Sequence, residues 1–306
     1  VLEQDFPQLL EEIDGIAHGA GMALEEVVLI NARTDILAMV EVELGMRKIP
    51  GCTAMALEGE VDGKPALALC QNWDWDPLMA EAPVILRLSP IDAPPLVTLV
   101  EAGMIGKIGF NQHRLGVCLN FLGHQLDGRP GEVGVPIHCL LRAVMACSSI
   151  PEAVETVTSS PRCASANFLL AQYGQNAPQA LDLEISPAAV ATVRGSGRSL
   201  VHTNHFLDPE LAAGCTSGRG PSTMKRYATA TRLVSELEAT EPDPVRRART
   251  VLESRAELPY PISRFRNPDP SSSTLAGIIM ELSGNRLILT NGPPHLGEWV
   301  TRPGIG

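Results

Sequence analysis

A glycine and a cysteine adjoin where the chain changes from helical to strand character, at Gly51-Cys52. Gly51 has no side chain to hinder attack on its carbonyl carbon, and it tolerates strained backbone angles. The thiol of Cys52 could therefore attack that carbonyl and form a thioester, which water would cleave. Cleavage would free an α-amine with a pKa of roughly 7.7–8.0, near the ~8.5 of a thiol, and such an amine can be the base for its own side chain.

A carboxylate is expected beside this cysteine. The segments 53–58 and 65–71 have strand character and flank Val61-Asp62-Gly63-Lys64, which is a hairpin signal. If the two segments pair, Asp74 in Gln71-Asn72-Trp73-Asp74-Trp75 returns close to the start of the first strand. There it could hold the new ammonium group or orient the thiol, although a turn at a strand end, flanked by packed tryptophans, would account for the same residues.

Helical and strand patterns alternate in blocks along the chain. Apolar residues recur at three- and four-residue steps over 5–47, which predicts two helices before the Gly51-Cys52 pair, the second from Leu24 to Leu44. Further helices are predicted over 135–157 and 221–255, and strands at 84–88, 96–101, 107–111, 115–121, 166–172, 180–186, 190–194, 199–203, 275–281 and 286–290. Hairpin-forming strands with helices in separate blocks favour an α+β architecture of antiparallel sheets covered by helices.

The composition disfavours several classes of protein. The net charge of −11 argues against a nucleic-acid partner, and no apolar run approaches the ~18 residues of a membrane helix. The seven cysteines contain no CxxC pair, and all but Cys52 are expected to be buried, reduced thiols. With no signal-peptide pattern at its start, the chain is expected to be cytoplasmic. His202 and His205 form an H-x-x-H pair, but on a strand that spacing puts the two rings on opposite faces, and no carboxylate lies at a ligand spacing nearby. Neither a metal nor another cofactor is therefore expected.

Six ordered motifs span nearly the whole chain. They are Glu12-Ile13-Asp14-Gly15-Ile16-Ala17-His18-Gly19-Ala20-Gly21 with Asn31-Ala32-Arg33-Thr34-Asp35, then Gly51-Cys52-Thr53, Gln71-Asn72-Trp73-Asp74, Gly103 to Asn111, His202-Thr203-Asn204-His205-Phe206, and Ser263 to Asp269. Together they resemble the acyl-coenzyme A:6-aminopenicillanic acid acyltransferase family, also called C45 peptidases. Its members are N-terminal nucleophile (Ntn) hydrolases. The resemblance implies a four-layer αββα sandwich of two mainly antiparallel sheets flanked by helices.

The resemblance also implies roles for individual residues. Cys52 becomes the nucleophile when the chain is cut after Gly51, and Asp74 is its acidic partner. Asn204 lies in the oxyanion hole, where an amide NH₂ can meet a developing oxyanion. Arg266, expected near the nucleophile, would lower the pKa of the thiol and help to bind a substrate carboxylate.

Other residues are expected to support this site. Four of them adjoin the motif residues: Thr53, Asn72, His205 and Ser263. Trp73 and Trp75 could form a wall of the acyl pocket, although aromatic residues beside a strand belong more often to the core. A second arginine, Arg264, competes with Arg266 for the active-site position, and Asn267-Pro268-Asp269 after Arg266 favours the latter.

The implied enzyme processes itself into residues 1–51, the α-fragment or leader, and residues 52–306, the β-fragment, which stay together. The expected activity is hydrolysis of a small N-acyl amide through an acyl-cysteine. The alternatives are transfer of an acyl group from acyl-coenzyme A or an amide to an amine, and an unprocessed, non-catalytic binding protein of the same fold. A cysteine protease with a catalytic histidine is disfavoured because its sequence signature is absent.

The expected partner is a small-molecule acyl amide or acyl-coenzyme A, besides the pairing of the two fragments with each other. Neither nucleic acid nor a membrane is expected, and a homo-oligomer is an open alternative. Three basic residues are candidates for binding coenzyme A phosphates: Arg219, Lys225 and Arg226.

Overall fold

Two antiparallel β-sheets lie face to face between layers of helices. The computed structural model describes residues 1–44, 51–129, 131–174, 177–195, 197–216, 220–265 and 272–305, and of residues 41–44 the backbone alone. One sheet has six strands and the other has seven, and the named strands pair in antiparallel fashion. This αββα arrangement confirms the fold class expected from the sequence.

Helices and strands alternate in blocks, as the sequence predicts. The helices are α1 (Leu2–Asp5), α2 (Pro7–Ala20), α3 (Leu24–Asn31), α4 (Arg33–Leu44), α5 (Ile137–Val144), α6 (Ile150–Ser159), α7 (Pro209–Ala213), α8 (Pro221–Glu238) and α9 (Pro244–Leu252), with a short 3₁₀ helix at Pro77–Met79. The strands are β1 (Thr53–Val61), β2 (Lys64–Trp75), β3 (Pro83–Leu88), β4 (Leu96–Glu101), β5 (Ile108–Asn111), β6 (Leu115–Phe121), β7 (Ala166–Tyr173), β8 (Pro178–Ile185), β9 (Val190–Val193), β10 (Ser199–His202), β11 (Ser273–Glu281), β12 (Arg286–Leu289) and β13 (Val300–Pro303). The sequence pattern does not predict α1, α7 and β13, which are four or five residues long.

The order of the strands places β1 and β2 inside their sheet. The six-stranded sheet has the order β10-β1-β2-β11-β12-β13, and the seven-stranded sheet runs from β3 to β9 in sequence order. β1 and β2 form the expected hairpin, in which Asp62 and Gly63 both have positive φ, 51° and 74°, as a two-residue type I′ turn requires. Its register sets Thr53 opposite Asn72, which brings Asp74 back to the end of the sheet where β1 begins.

Three apolar layers hold the sandwich together. The layer between the sheets contains buried residues of both, such as Leu69 on β2 and Phe110 on β5. Helices α2 to α6 cover the outer face of the seven-stranded sheet, and α8 and α9 cover the outer face of the six-stranded sheet. The N-terminal helices are therefore held against the seven-stranded sheet through apolar burial, with Ile13 and Val27 fully enclosed. No helix in the described ranges is long and apolar enough to cross a bilayer.

The leader helices depart from the sequence prediction in one respect. The single helix expected from Leu24 to Leu44 is divided at Ala32 into α3 and α4. Just before this break, the side-chain amide of Asn31 donates to the carbonyl of Gly103 and accepts from the N–H of Ile105, at 2.9 and 3.0 Å. A tertiary contact of the side chain thus competes with helix continuity.

Candidate active site

Cys52 lies directly before β1, with its side chain enclosed. In the continuous chain the N–H of Cys52 donates to Oδ1 of Asn204 at 2.7 Å. Burial, reinforced by the carboxylate of Asp74, raises the pKa of the Cys52 thiol, while Lys107 acts in the opposite direction. The resting thiol is therefore protonated at neutral pH and needs a base before it can attack a carbonyl.

Gly51 packs against two side chains that leave no room for a larger residue. A Cβ added at this position would lie 2.8 Å from Cζ of Arg226 and 2.8 Å from Oδ1 of Asn204. These separations are shorter than van der Waals contact, so any side chain here would displace the guanidinium or the amide. Packing thus favours a glycine before the cysteine, in addition to the unhindered carbonyl that the sequence suggested.

Arg226 holds the backbone of Cys52 from α8. Its guanidinium donates to the carbonyl oxygen of Cys52, to Oγ1 of Thr53 at 3.0 Å and to Oδ1 of Asn204 at 2.9 Å. The expectation that Arg226 binds coenzyme A phosphates is wrong, because the residue is 1% exposed and its donors are committed to the cysteine segment. Sequence reasoning named this arginine but missed its role, since an arginine on a charged amphipathic helix is expected to face solvent.

Asn204 connects the cysteine to the opposite sheet. Its NH₂ group donates to the carbonyl of Phe121 at 3.0 Å, and its backbone N–H donates to Oγ1 of Thr223 at 2.9 Å. Nδ1 of His205 lies 2.9 Å from the same hydroxyl, so His205 supports Asn204 through Thr223. In the intact chain the amide oxygen of Asn204 faces the N–H of Cys52, and one of its two amide hydrogens goes to Phe121.

Asp74 is fully buried near the end of β2, beside the cysteine. Its Oδ1 accepts from the hydroxyl of Thr274 at 2.6 Å, and its Oδ2 lies 3.2 Å from Nε of Arg264, in an ion pair without hydrogen-bond geometry. Burial raises the pKa of Asp74 to about 6, against the opposing charges of Arg264 and Arg226. Asp74 can therefore exchange a proton close to neutral pH.

The arginine that contacts Asp74 is Arg264. Arg266, which the sequence motif favours, lies outside the described residues. Ser263, expected to support the site, is fully buried, and its hydroxyl lies 2.7 Å from Nδ1 of His295. Its N–H donates to the carbonyl of Ser254 at 3.0 Å, so Ser263 anchors the segment from which Arg264 extends.

A second group of charges approaches the cysteine from the seven-stranded sheet. Nζ of Lys107 lies 2.7 Å from Oε2 of Glu101, and the same carboxylate accepts two hydrogen bonds from Arg33 of α4, at 2.5 and 2.9 Å. We call Arg33, Glu101 and Lys107 the leader cluster. Burial lowers the pKa of Lys107 to about 8. Burial alone would raise the pKa of Glu101, but Lys107 and Arg33 lower it to about 2.

The tryptophans of the aspartate motif stack against this cluster. Nζ of Lys107 lies 3.5 Å from the ring centroid of Trp73, and Cζ of Arg33 lies 4.5 Å from that of Trp75. Both contacts have cation–π geometry, so the rings help to hold the two cations. That these rings line an acyl pocket stays a prediction, and an acyl group bound there would lie beside the cations.

Two buried amide side chains between the sheets were not singled out by sequence reasoning. Gln71 bridges the sheets, since it donates to the carbonyl of Leu119 at 2.6 Å and accepts from its N–H at 3.0 Å. Asn120, which follows Leu119 on β6, is fully buried. Its amide oxygen and nitrogen have no hydrogen-bond partner among the described residues. On β6 it shares the inward face with Cys118. In the sequence, the signal for Asn120 was a polar amide at an inward-facing position of a predicted strand.

Asn72 supports the site through the backbone. Its NH₂ group donates to the carbonyls of Leu252 at 2.8 Å and Ile262 at 3.0 Å. Since Leu252 ends α9, this bond fixes β2 to the helical layer behind it. Asn72 also pairs with Thr53 across the hairpin, so the same residue helps to fix the start of β1.

The described side chains around Cys52 carry an excess of positive charge. Four are cations and two are carboxylates: Arg33, Lys107, Arg226, Arg264, Asp74 and Glu101. Charges act strongly in such a buried place, because the effective dielectric constant is low. The arrangement suits a cysteine nucleophile whose thiolate and anionic intermediates need stabilisation.

Comparison with known proteins identifies the family. The family described as acyl-coenzyme A:6-aminopenicillanic acid acyl-transferase matches residues 61–295, a span that contains Asp74 and Asn204 and starts after Cys52. The 40 kDa form of the acyl-coenzyme A:6-aminopenicillanic-acid acyltransferase of Emericella nidulans is 29% identical over 302 residues, 96% of this chain and 78% of that protein. A solved Caenorhabditis elegans N-acylethanolamine-hydrolyzing acid amidase ortholog matches with a TM-score of 0.50 and 14% identity, over 76% of this chain and 93% of that one. The chain therefore belongs to the acyl-coenzyme A:6-aminopenicillanic acid acyltransferase family and has the Ntn-hydrolase fold.

Proposed function

We propose that the chain cuts itself between Gly51 and Cys52, and that the new N-terminal cysteine hydrolyses small N-acyl amides through an acyl-cysteine. The observation that carries this proposal is the hold on both backbone groups of Cys52, whose N–H is bonded to Asn204 and whose carbonyl is bonded to Arg226. A backbone fixed in this way, beside a thiol and the titratable Asp74, is positioned for attack on the preceding carbonyl.

Self-cleavage begins when the Cys52 thiol gives its proton to the ionised carboxylate of Asp74. The sulfur attacks the carbonyl carbon of Gly51, the carbon–nitrogen bond breaks, and the leaving nitrogen takes the proton back from Asp74. Water then hydrolyses the thioester, which leaves a carboxylate on Gly51 and restores the thiol. The products are residues 1–51 and residues 52–306.

In the mature enzyme the α-amine of Cys52 stands where the amide nitrogen was. Oδ1 of Asn204, which accepts from that nitrogen in the intact chain, orients the amine so that its lone pair takes the thiol proton. The amide of Asn120 and the second hydrogen of the Asn204 NH₂ group serve as side-chain donors to the oxyanion. Loss of one such donor costs roughly 10²–10³-fold in rate.

Acyl transfer to an amine is the second candidate. It is favoured by the family description and by the Emericella nidulans relative, both of which name an acyltransferase. The acyl-cysteine is common to the two reactions, since water as the acceptor gives hydrolysis and an amine gives transfer. An acyl-coenzyme A donor is close in energy to the acyl-cysteine, because both are thioesters.

Intact-protein mass spectrometry under denaturing conditions tests the cleavage. The wild type is expected to give two fragments, the larger beginning at Cys52, while Cys52→Ala gives one chain. Cys139→Ala is the matched control, because Cys139 is a buried thiol of α5 outside the site, and it is expected to cleave like the wild type. A wild-type chain that stays whole would contradict the proposal and favour a non-catalytic binding protein.

A series of N-acyl amides with one amine and acyl groups of increasing length tests the reaction. Release of the amine by the cleaved wild type, and not by Cys52→Ala, is expected. Adding a second amine separates the two candidates, because transfer forms its N-acyl product while hydrolysis forms the free acid. Absence of both products from every amide and from acyl-coenzyme A would contradict both candidates.

A further inference from the structure

Asn204 lies in a short link between β10 and α7. β10 ends at His202 and α7 begins at Pro209, so the link is residues 203–208. The amide oxygen of Asn204 accepts from the N–H of Cys52 at 2.7 Å. Because the link lies outside the helices and strands, the contacts that hold its two ends decide where this amide lies.

One carboxylate holds both ends of the link. Glu184, near the end of β8, has its Oε1 2.8 Å from Nε2 of His202. The same carboxylate accepts from the N–H of Leu207 at 2.5 Å and from the N–H of Asp208 at 2.9 Å. Glu184 belongs to the seven-stranded sheet and His202 to the six-stranded sheet, so the contact also joins the two sheets.

The partners of the His202 ring determine its charge. Nδ1 lies 2.7 Å from the carbonyl oxygen of Thr203, which can only accept a hydrogen bond. Nε2 faces Oε1 of Glu184, a carboxylate that also accepts two backbone N–H groups. Both ring nitrogens therefore carry a hydrogen, and His202 is an imidazolium paired with an ionised Glu184.

Both members of this ion pair are fully buried. A buried ion pair is weak evidence for stability, because apolar residues of similar volume often replace it without loss. The hydrogen bonds of this pair differ from a simple packing contact, because they end on backbone groups on either side of Asn204. Removal of Glu184 would leave a buried imidazolium and two backbone N–H groups without their acceptor.

Other titratable groups lie around the His202 ring. Burial lowers its pKa, but Asp182 and Glu184 together outweigh burial, and the net shift is upward. The ring of His205 is stacked at 6.5 Å between centroids, and it is neutral at physiological pH because burial and then His202 lower its pKa to about 4. Tyr227 lies edge-on to His205. These surroundings agree with a charged His202 beside a neutral His205.

We propose that Glu184 and His202, as a buried ion pair, are positioning residues for Asn204. By fixing both ends of the link 203–208, they set the place at which the Asn204 amide meets Cys52. They act through the backbone of the link, and Asn204 is the group that acts on the cysteine. The inference rests on the proposed function only in that Asn204 serves the reaction at Cys52.

The first measurement is the protonation state of His202, by NMR of wild-type protein labelled with ¹⁵N in its histidines. Two N–H signals from the His202 ring are expected at pH 7, assigned through its own backbone resonances. A ring with a single protonated nitrogen would overturn the inference, because the ion pair would then not exist. This measurement carries the test if a substitution at Glu184 prevents folding.

The second measurement is hydrogen exchange at the N–H of residue 52 in the uncleavable variant Cys52→Ala, where this group keeps its bond to Asn204. Adding Glu184→Gln should speed the exchange by roughly tenfold, the equivalent of one hydrogen bond. Asp182→Asn is the matched control, because Asp182 is a buried carboxylate on the same face of β8 that bonds to Asn167 on β7. Equal exchange rates in the two double variants would overturn the inference.

The functional measurement is the rate of self-cleavage, followed by mass spectrometry. Glu184→Gln should slow it by about 10²-fold, the effect of a misplacement of about 1 Å at reacting groups. In an Asn204→Ala background there is no amide left to position, so the same substitution should add little further loss.

A merely structural role of Glu184 would slow cleavage by the same factor in both backgrounds, and that result would overturn the inference. A wild type that does not cleave would contradict the proposed function instead. The NMR and hydrogen-exchange measurements need no cleavage, so they decide the inference in either case.

Discussion

Two buried carboxylates, Asp74 on the six-stranded sheet and Glu101 on the seven-stranded sheet, have surroundings that give them opposite properties. Glu101 is bonded directly to two cations, Lys107 and Arg33, and its pKa falls to about 2. Asp74 is bonded to the hydroxyl of Thr274 and has Arg264 beside it without a hydrogen bond, and its pKa rises to about 6. Both side chains have little solvent exposure, 2% for Glu101 and 0% for Asp74, and the carboxylate of Asp74 is the more completely desolvated of the two.

The difference shows that burial and the geometry of the nearest cations together decide what a buried carboxylate does here. Two hydrogen-bonded cations outweigh desolvation and keep Glu101 charged over the whole physiological range. The ion pair with Arg264, which lacks hydrogen-bond geometry, and the charge of Arg226 do not outweigh desolvation, so Asp74 remains able to exchange a proton. Glu101 is accordingly suited to hold charges in place, and Asp74 is suited to proton transfer.

The largest effect is expected from Asp74→Asn. An amide cannot take the thiol proton, so self-cleavage should slow by roughly 10²–10⁴-fold. The free energy of unfolding should not fall, because the amide oxygen can keep the bond to Thr274 and a buried charge is removed. A mass-spectrometric time course and urea unfolding measure the two quantities. Cleavage at the wild-type rate would remove Asp74 from the mechanism.

Glu101→Gln should lower the stability of the fold, unlike Asp74→Asn. It leaves Arg33 and Lys107 without a counter-charge, so the free energy of unfolding should fall by about 3–5 kcal/mol. Glu281→Gln is the matched control, because its partner Arg286 is 53% exposed and such a pair contributes about 0–1 kcal/mol. Equal losses of unfolding free energy in Glu101→Gln and Glu281→Gln, measured by urea unfolding, would show that the leader cluster contributes no more to stability than an exposed ion pair.

Gly51→Ala tests the packing around the Gly51–Cys52 bond without changing the charges of the site. The new Cβ would collide with Arg226 and Asn204, and a misplacement of about 1 Å at reacting groups can cost 10²-fold in rate. Self-cleavage should therefore slow by about that factor. Gly15→Ala in α2 is the control, since nothing lies within 4 Å of its added Cβ. Similar cleavage rates in the two variants would mean that the scissile segment tolerates a side chain.

The smallest effect concerns the dependence of stability on pH. The folded-state pKa of Asp74 is about 6, above its ordinary value of 3.8, so its contribution to stability is present below pH 4 and lost as the pH rises through 6. For Glu101 the folded-state value of about 2 lies below 4.5, so its contribution is present above pH 4.5 and lost as the pH falls towards 2.

Unfolding measured from pH 3 to 8 tests these signs. Asp74→Asn should remove a decline of up to about 1.4 kcal/mol per pH unit between pH 4 and 6. Glu101→Gln should leave that decline in place and flatten the acid side below pH 4.5. If Asp74→Asn, like Glu101→Gln, keeps the wild-type slope of the unfolding free energy between pH 4 and 6, then Asp74 does not titrate there.

The local parts of the site could be predicted from the sequence. The hairpin of β1 and β2 follows from alternating strand residues around Asp62-Gly63, and its register follows from the two-residue turn. Those features alone bring Asp74 back towards Cys52. The blocks of helices and strands likewise favour an α+β architecture of antiparallel sheets covered by helices, because apolar periodicity is read within a few residues. The four-layer αββα order was implied by the resemblance to the family.

Only the tertiary structure identified Arg226, Glu101 and Lys107 as parts of the site, and only it gave Arg33 an active-site contact. Arg226 is 174 positions from the cysteine whose carbonyl it holds, and Arg33 is 68 positions from Glu101. A single charged residue in a helix or loop has the same local pattern whether it faces water or a buried partner. Its role is decided by which distant charge the fold brings within hydrogen-bonding distance, and that information lies in the packing of the leader and the two sheets.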